Sequence, residues 1–467
     1  MGNKSSSSAE PAMPRTGEPA TSTIASDPPR FRLRWAILGA NFSVLALNYA
    51  DRAAIGVAAP LIVKEFGFSK ATFGLILSVF FFGYAPFCFI GGYASDKFGP
   101  RKVMGIAIAW WSLFTVATVA GFNFISFMII RFLFGFGEGP QGSVTAKTMS
   151  NWFPDRELGR SLGISQAATP LGGAIGTPLV VWMIASTSGN WRAPFIVLGI
   201  FGLLVSVGWY AIVRDRPDLH PWITRGELNE IERGEMVQRQ ETKAETAAGM
   251  RPYLRLPIVW STAFAFFGYA WVLYTFLSWF PVYLVDVRGI DLKAVAVAGT
   301  VPWIAGVFGF IIGGMISDRI AIRTGRPAAA RKMMIVGGLL VTGALFSGIA
   351  IVTTTLSSVI LMSLVVFALY LTGAQYFALI GEIVPKVRLG GVAGFVHFIA
   401  NLAGILAPVS VGFIVDRTGS WGLTFGVSGA ICVAGALAMA LFGRVKPYDN
   451  ARAELNREPA DAQVSDV

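Results

Sequence analysis

Apolar runs long enough to cross a lipid bilayer recur along this sequence, separated by short islands of charge. A helix rises about 1.5 Å per residue, so roughly 20 apolar residues span a hydrocarbon layer of about 30 Å. Runs of this kind place twelve spans at 35–60, 72–94, 103–121, 124–150, 161–186, 193–213, 257–284, 294–317, 333–354, 358–381, 389–414 and 421–443. Charged residues make up 14% of the chain, against about 25% in an average soluble domain. The expected fold class is therefore an all-α membrane protein with 12 transmembrane helices.

The net charge of +11 does not point to nucleic acid, because the basic residues sit between the apolar runs. One face collects Arg30, Arg32, Arg34, Lys97, Arg101, Lys102, Arg156, Arg160, Arg214, Arg216, Arg319, Arg323, Arg326, Arg331, Lys332, Lys386 and Arg388. The opposite face has Lys64, Lys70, Arg192, Arg288, Lys293 and Arg417. Positive loops stay inside, so both termini are expected in the cytoplasm. Polar stretches divide the chain into a disordered tail (1–33), a six-helix bundle (34–213), a linker (214–256), a second six-helix bundle (257–443) and a C-terminal tail (444–467). Thr224-Arg225-Gly226-Glu227 has the pattern of a capping box opening a short linker helix to about Met236. Met1-Gly2-Asn3-Lys4-Ser5-Ser6 fits an acylation pattern nominally, although a chain with many spans gains nothing from one acyl chain. Cys88 and Cys432 fall inside spans and imply no disulfide framework. His220 and His397 form no cluster at metal-ligand spacing.

The two halves repeat. GGYASDKFGPRK (91–102) follows the second span, and GGMISDRIAIRTGRPAAARK (313–332) follows the eighth, each with Gly-Gly, Ser-Asp-Lys/Arg and a distal basic pair. Duplicated halves with a site between them are a transporter architecture. Gly92, Asp96, Lys97, Gly99, Arg101 and Lys102 resemble the signature loop of the major facilitator superfamily, with Pro100 at its variable position. The resemblance implies two pseudo-symmetric halves. The loop, with Asp318 and Arg319 in the repeat, is expected to act as a gate, Asp96 capping a helix or pairing with a base to latch the halves in one state. A plain topology-setting loop is the alternative.

Ionisable groups inside spans demand a reason, since each costs at least about 2.5–3.5 kcal/mol at mid-bilayer. The first span carries Asp51 and Arg52, and the fourth carries Arg131 and Glu138. Seven residues at 100° each return to nearly the same helix face about 10.5 Å further along, so Arg131 and Glu138 can line one wall at two depths. Asp51 and Arg52 diverge by about 100°, so at most one points straight into a shared cavity. A buried guanidinium suits a carboxylate, and a buried carboxylate is ready to take a proton. An anion seated on the arginine removes the counter-ion of the carboxylate and favours its protonation, which couples anion to proton. Structural ion pairing is the competing account, and Arg131, near the end of its span, can snorkel.

Tyr49-x-Asp51-Arg52, the Arg131…Glu138 helix, Asn151-Trp152-Phe153-Pro154 and Trp279-Phe280-Pro281 resemble the anion:cation symporter branch of that superfamily, which includes bacterial galactonate, glucarate and hexuronate transporters. The likeness runs from about residue 34 to 443. It implies that Arg52 binds the substrate carboxylate, that Tyr49 and Tyr84 line the site, and that Asp51 and Glu138 couple protons with Arg131 as partner to Glu138. Thr169, Ala374, Tyr376, Phe377 and His397 stand where galactonate carriers place amides and small alcohols; Asn401 lies one turn after His397. Tyr274, Thr169, Tyr376, Phe377, His397 and Asn401 complete the expected substrate set. The replacements suit a less hydroxylated or aromatic acid. His397 can bind substrate, relay protons or serve as a satisfied core histidine.

The expected function is proton-coupled uptake of a small organic anion, a sugar acid or related carboxylate, by a monomer in the cell inner membrane. The proton is the coupling ion, and no cofactor, metal or nucleic acid is expected. A proton-driven exporter of a drug or metabolite is the alternative in the same fold. No P-loop, nucleophile elbow or metal spacing supports an enzyme, and the linker and tail leave no room for the output domain of a receptor.

Overall fold

A computed structural model describes residues 32–231, 251–384 and 386–444, together with Gly2. The two tails, most of the linker and the acylation pattern lie outside this set. Among the described residues, fourteen helices carry the fold. The first half holds α1 (Leu33–Phe66), α2 (Lys70–Phe98), α3 (Pro100–Ala117), α4 (Phe124–Glu138), α5 (Gln141–Trp152), α6 (Asp155–Ser186) and α7 (Arg192–Ile212). The second holds α8 (Pro257–Asp286), α9 (Leu292–Thr324), α10 (Pro327–Gly348), α11 (Thr355–Leu371), α12 (Gln375–Gly381), α13 (Lys386–Thr418) and α14 (Trp421–Phe442). The linker contributes helix at 225–231 and one turn at Arg251–Leu254.

By length and apolarity, 10 helical stretches among the described residues can cross a membrane, α11 and α12 counting as one. Two expected spans fall short of that measure for visible reasons. The 34 residues of α1 reach about 50 Å, but they include Asp51 and Arg52. The fourth span is divided at Gly139-Pro140 into α4 and α5. Most helices outrun their apolar runs, because polar and charged residues continue each helix past the hydrocarbon. Pro327 at the first turn thus starts α10 six residues before the expected 333. Side chains cap the turns: Ser69 accepts from Thr72 N, Asp291 from Ala294 N and Ser420 from Leu423 N, while Asn123 and Thr354 form reciprocal boxes with Ser126 and Ser357.

The halves pack by one scheme. In the first, α1 lies on α6, α2 on α4 and α3 on α7; in the second, α8 lies on α13, α9 on α11 and α10 on α14. Between the halves α2 meets α13, α6 meets α9 and α1 meets α8. This is the duplication that the repeated loop predicts.

The face bearing the 97–102 and 318–332 loops is called the basic face below. The halves close at the opposite face. Asp416 accepts from the backbone N–H groups of Lys70 (3.0 Å) and Ala71 (2.6 Å) at the start of α2, and Lys70 pairs with Asp286 at 2.9 Å. Backbones touch there: a Cβ on Gly74 would come within 2.6 Å of Pro408 O, and small residues are what permit such an approach. Positions Gly142 and Gly163 on α5 and α6, and Gly381 and Gly394 at α12 and α13, face open space.

Among the described residues, the signature loops make their contacts with their own half and with the start of the linker. Arg101 donates its guanidinium to Tyr210 O (3.0 and 2.6 Å), and Asp215 accepts from Arg101 N at 2.8 Å. The Asp215 carboxylate fills the space beside Gly99, whose φ of +86° favours glycine. Gly92 packs toward Ser143, and Lys97 and Lys102 are exposed. In the repeat, Asp318 pairs with Arg331 at 2.7 Å and Arg319 is exposed. The Asp96 side chain, and with it the expected latch, lies outside the described set.

The linker differs from expectation. Thr224 accepts from Glu227 N, half of the predicted box. The Glu227 carboxylate instead accepts from Leu33 N and Arg34 N, both at 3.0 Å, and so caps α1. Buried Arg34 donates to Glu230 and Glu157, binding the linker helix, α1 and α6 together.

Candidate substrate site

At mid-depth, α1 presents Arg52 to the last residue of α4. The Arg52 guanidinium donates through Nε (2.9 Å) to Oε2 of Glu138 and brings Nη2 to 2.8 Å from the same oxygen in an ion pair. Both residues are buried, at 6% and 0% exposure. The Asn48 side chain lies beside the same carboxylate, whose Oε1 makes no close hydrogen bond among the described residues. Glu138 stands where α4 ends. Gly139 lets that end lie against α2, since a Cβ there would come within 2.6 Å of Tyr84 O.

Rings enclose the guanidinium: Tyr84 at 4.8 Å, Phe80 at 4.9 Å and Tyr49 at 5.5 Å from centroid. Cation–π contacts of this kind stabilise a desolvated cation without neutralising it. Asp51 is buried with Oδ1 unpaired and lies within electrostatic reach of Glu138, Arg131 and Arg52. Arg131 packs over Phe134 (4.7 Å) and Phe80 (5.3 Å) at 4% exposure. Two expectations change here. Arg131 is buried and does not snorkel, and the bonded partner of Glu138 is Arg52 from another helix, not Arg131 on its own.

Across the interface, Tyr274 donates to Asn401 Oδ1 at 2.7 Å, and Asn401 donates to His397 O at 2.8 Å. Tyr274 and His397 both lie within electrostatic reach of Arg52. The His397 ring lies nearly parallel to Phe266 (5.7 Å, 21°) and edge-on to Phe377 (5.8 Å). Phe266 in turn stacks on Tyr376 (4.3 Å, 13°), whose hydroxyl bonds Thr372 at 3.0 Å. Thr169 donates to Gln166 O on its own helix, and its hydroxyl oxygen stays open to accept from Tyr370.

Sequence reading missed four members: Phe80, Phe266, Tyr269 and Tyr370. Tyr269 lies edge-on to Tyr376 and Tyr370. In apolar spans an inward ring and a lipid-facing ring look alike, and no local signal separates them.

Two packed bundles of membrane-length helices, meeting around a buried guanidinium–carboxylate pair, define a transporter of the two-half type. A family model described as Major Facilitator Superfamily matches residues 42–377. The chain belongs to that superfamily, and its relatives are those of the anion:cation symporter branch. It is 40% identical over 404 residues to a hexuronate transporter of Bacillus subtilis, covering 85% of this chain and 92% of the relative. It is 38% identical over 414 residues to a protein of Cupriavidus necator named as a probable sulfoacetate transporter, covering 88% and 94%. The fold is similar to the inward open conformation of the xylose transporter XylE from E. coli, with a TM-score of 0.70 at 18% identity, covering 90% and 99%.

Proposed function

We propose that this protein carries a small organic anion together with a proton across the cytoplasmic membrane by alternating access. The observation that supports this most directly is the buried Arg52–Glu138 pair, in which both guanidinium contacts fall on one Glu138 oxygen. The names of the two relatives, one for a uronate and one for a sulfonated acetate, support an anionic substrate.

In this reading the substrate carboxylate competes with Glu138 for the Arg52 fork. Once displaced, Glu138 sits buried without its counter-ion and takes a proton, because a lone buried carboxylate is costly. Loss of the substrate re-forms the pair and expels the proton. Asp51 and Arg131 hold the electrostatic balance of the pocket, while Tyr49, Tyr84, Tyr274 and Asn401 position the anion. The basic face is the cytoplasmic one, since positive loops remain inside. The contacts at the opposite face then close the outside, and substrate reaches the pair from within. The protein acts as a monomer in the inner membrane with both termini inside.

The test is accumulation of sugar acids and related carboxylates in proteoliposomes under an inward proton gradient. Accumulation abolished by a protonophore is the expected result. Accumulation of amines or neutral sugars instead would remove the arginine-centred account.

A further inference from the structure

We infer that two rings, Phe81 on α2 and Trp303 on α9, are a matched pair of plugs that seal the outer side of the site, each seated in a glycine slot of the opposite half. The inference rests on alternating access and not on which anion is carried.

The sequence repeat relates the two rings. Phe81 lies ten residues before Gly91-Gly92, and Trp303 lies ten residues before Gly313-Gly314. Each also lies eleven residues from the outer end of its helix, at Lys70 and Leu292, a depth of about 16 Å. Both side chains are buried, at 5% and 3% exposure.

The slots match as well. A Cβ on Gly404 of α13 would overlap the Phe81 ring, and a Cβ on Gly173 of α6 would overlap the Trp303 indole. In both cases ring and slot come from different halves. Each ring then leans on a tyrosine of the opposite half: Phe81 on Tyr274 (4.5 Å, tilted by 58°) and Trp303 on Tyr49 (6.4 Å, edge-on at 89°). Tyr49 is itself one of the rings around the Arg52 guanidinium, and Tyr84, another of them, lies 6.0 Å from Phe81. The plugs therefore border the site.

Outward of the rings little room remains. A Cβ on Gly299 would come within 3.1 Å of Thr177 Cγ2, and the cavity lined in part by Trp303, Phe276 and Ala53 measures about 10 Å³, space for one water at most. Asp416 and Lys70 hold the rim of this closure, and the rings form its floor. A side chain that crosses between two rigid halves cannot stay in its slot when the outer face parts. Opening to the outside thus withdraws both rings, and closing reseats them. Burial of the two rings favours the closed state.

The experiment measures distances between spin labels on Lys64 and Lys293, replaced by cysteine in full-length protein free of Cys88 and Cys432, with no substrate present. Gly173→Ala and Gly404→Ala each fill one slot and are expected to raise the outer-open to outer-closed ratio by tenfold or more. With the facing ring removed, the added methyl has room. Gly173→Ala in a Trp303→Ala background, and Gly404→Ala in a Phe81→Ala background, are therefore expected to change the ratio by less than twofold. Gly404→Ala should keep its full effect beside Trp303→Ala, because the slots are separate. Glycine variants within twofold of the wild-type protein, or an effect that persists without the facing ring, would overturn the inference. Should the glycine variants fail to fold, Trp303→Ala and Phe81→Ala alone decide: a threefold or greater rise supports the plugs, and an unchanged ratio overturns them. Distances fixed at the closed value in every variant, Asp416→Ala included, would overturn alternating access at this face as well.

Discussion

Arg52 and Glu138 come from different helices, and their pairing shows what one chain of residues can and cannot reveal. The seven-residue spacing of Arg131 and Glu138 identifies both as facing inward. Their partnership is implied by the family resemblance and not by the spacing, which reports only positions along α4 about 10.5 Å apart. Partnership across helices depends on how α1 and α4 are set in depth and rotation, and here that setting brings Arg52 to 2.8 Å from Glu138. The aromatic lining is less legible still. Tyr269 and Tyr370 differ in no local way from packing residues, although Tyr49 and Tyr84 could be placed by resemblance. The pair predicts distinct outcomes for its two members. Arg52→Ala should lower both uptake and exchange by about a hundredfold or more, since a charge-assisted fork contributes roughly 3 kcal/mol. Arg52→Lys should not restore it, because an ammonium lacks the planar fork. Radiotracer uptake and exchange in proteoliposomes check both. Glu138→Leu should cost stability by about 3–5 kcal/mol, leaving the guanidinium buried and unpaired, and thermal unfolding in detergent measures this.

Helix ends and breaks carry the next level of design. Gly139-Pro140 could be read as a break, but not as the point where α4 delivers Glu138 against α2. Gly139→Ala would meet Tyr84 O and the Phe87 side chain at about their own van der Waals cores, so α4 must shift. The expected result is loss of coupled uptake out of proportion to any loss of expression. The linker shows a different limit. Thr224-x-x-Glu227 has the right spacing for a reciprocal cap, yet the carboxylate is taken by the N–H groups of Leu33 and Arg34 more than 190 residues earlier. A local motif is read locally; a long-range competitor with two free donors is invisible to it. Glu227→Ala should destabilise the protein by about 0.5–2 kcal/mol, the usual value of an N-cap. A thermal shift matched by Thr224→Ala alone would show that the cap on α1 contributes nothing.

At the scale of the whole molecule, the duplicated fold was legible because hydropathy and the repeated loop are both long-range patterns. The packing scheme of α1 on α6 and α8 on α13 is their three-dimensional counterpart. The state of the molecule was not legible. The loop at 91–102 draws attention to the basic face, whereas the halves are held at the opposite face by Asp416 on the start of α2 and by Lys70 with Asp286. Those residues lie at the ends of apolar runs, where single charges are ordinary. Asp416→Ala removes an N-terminal cap between halves and should shift the equilibrium toward opening at this face by roughly two- to thirtyfold. Distance measurements between spin labels on Lys64 and Lys293, replaced by cysteine in a background free of Cys88 and Cys432, would report the change.

Coupling is the central claim, and Glu138→Gln in proteoliposomes tests it most directly. With an inward proton gradient, the variant is expected to lose uphill accumulation of the substrate acid while retaining exchange at equal concentration on both sides. Gradient-driven accumulation equal to that of the wild-type protein would contradict the assignment of Glu138 as the proton carrier.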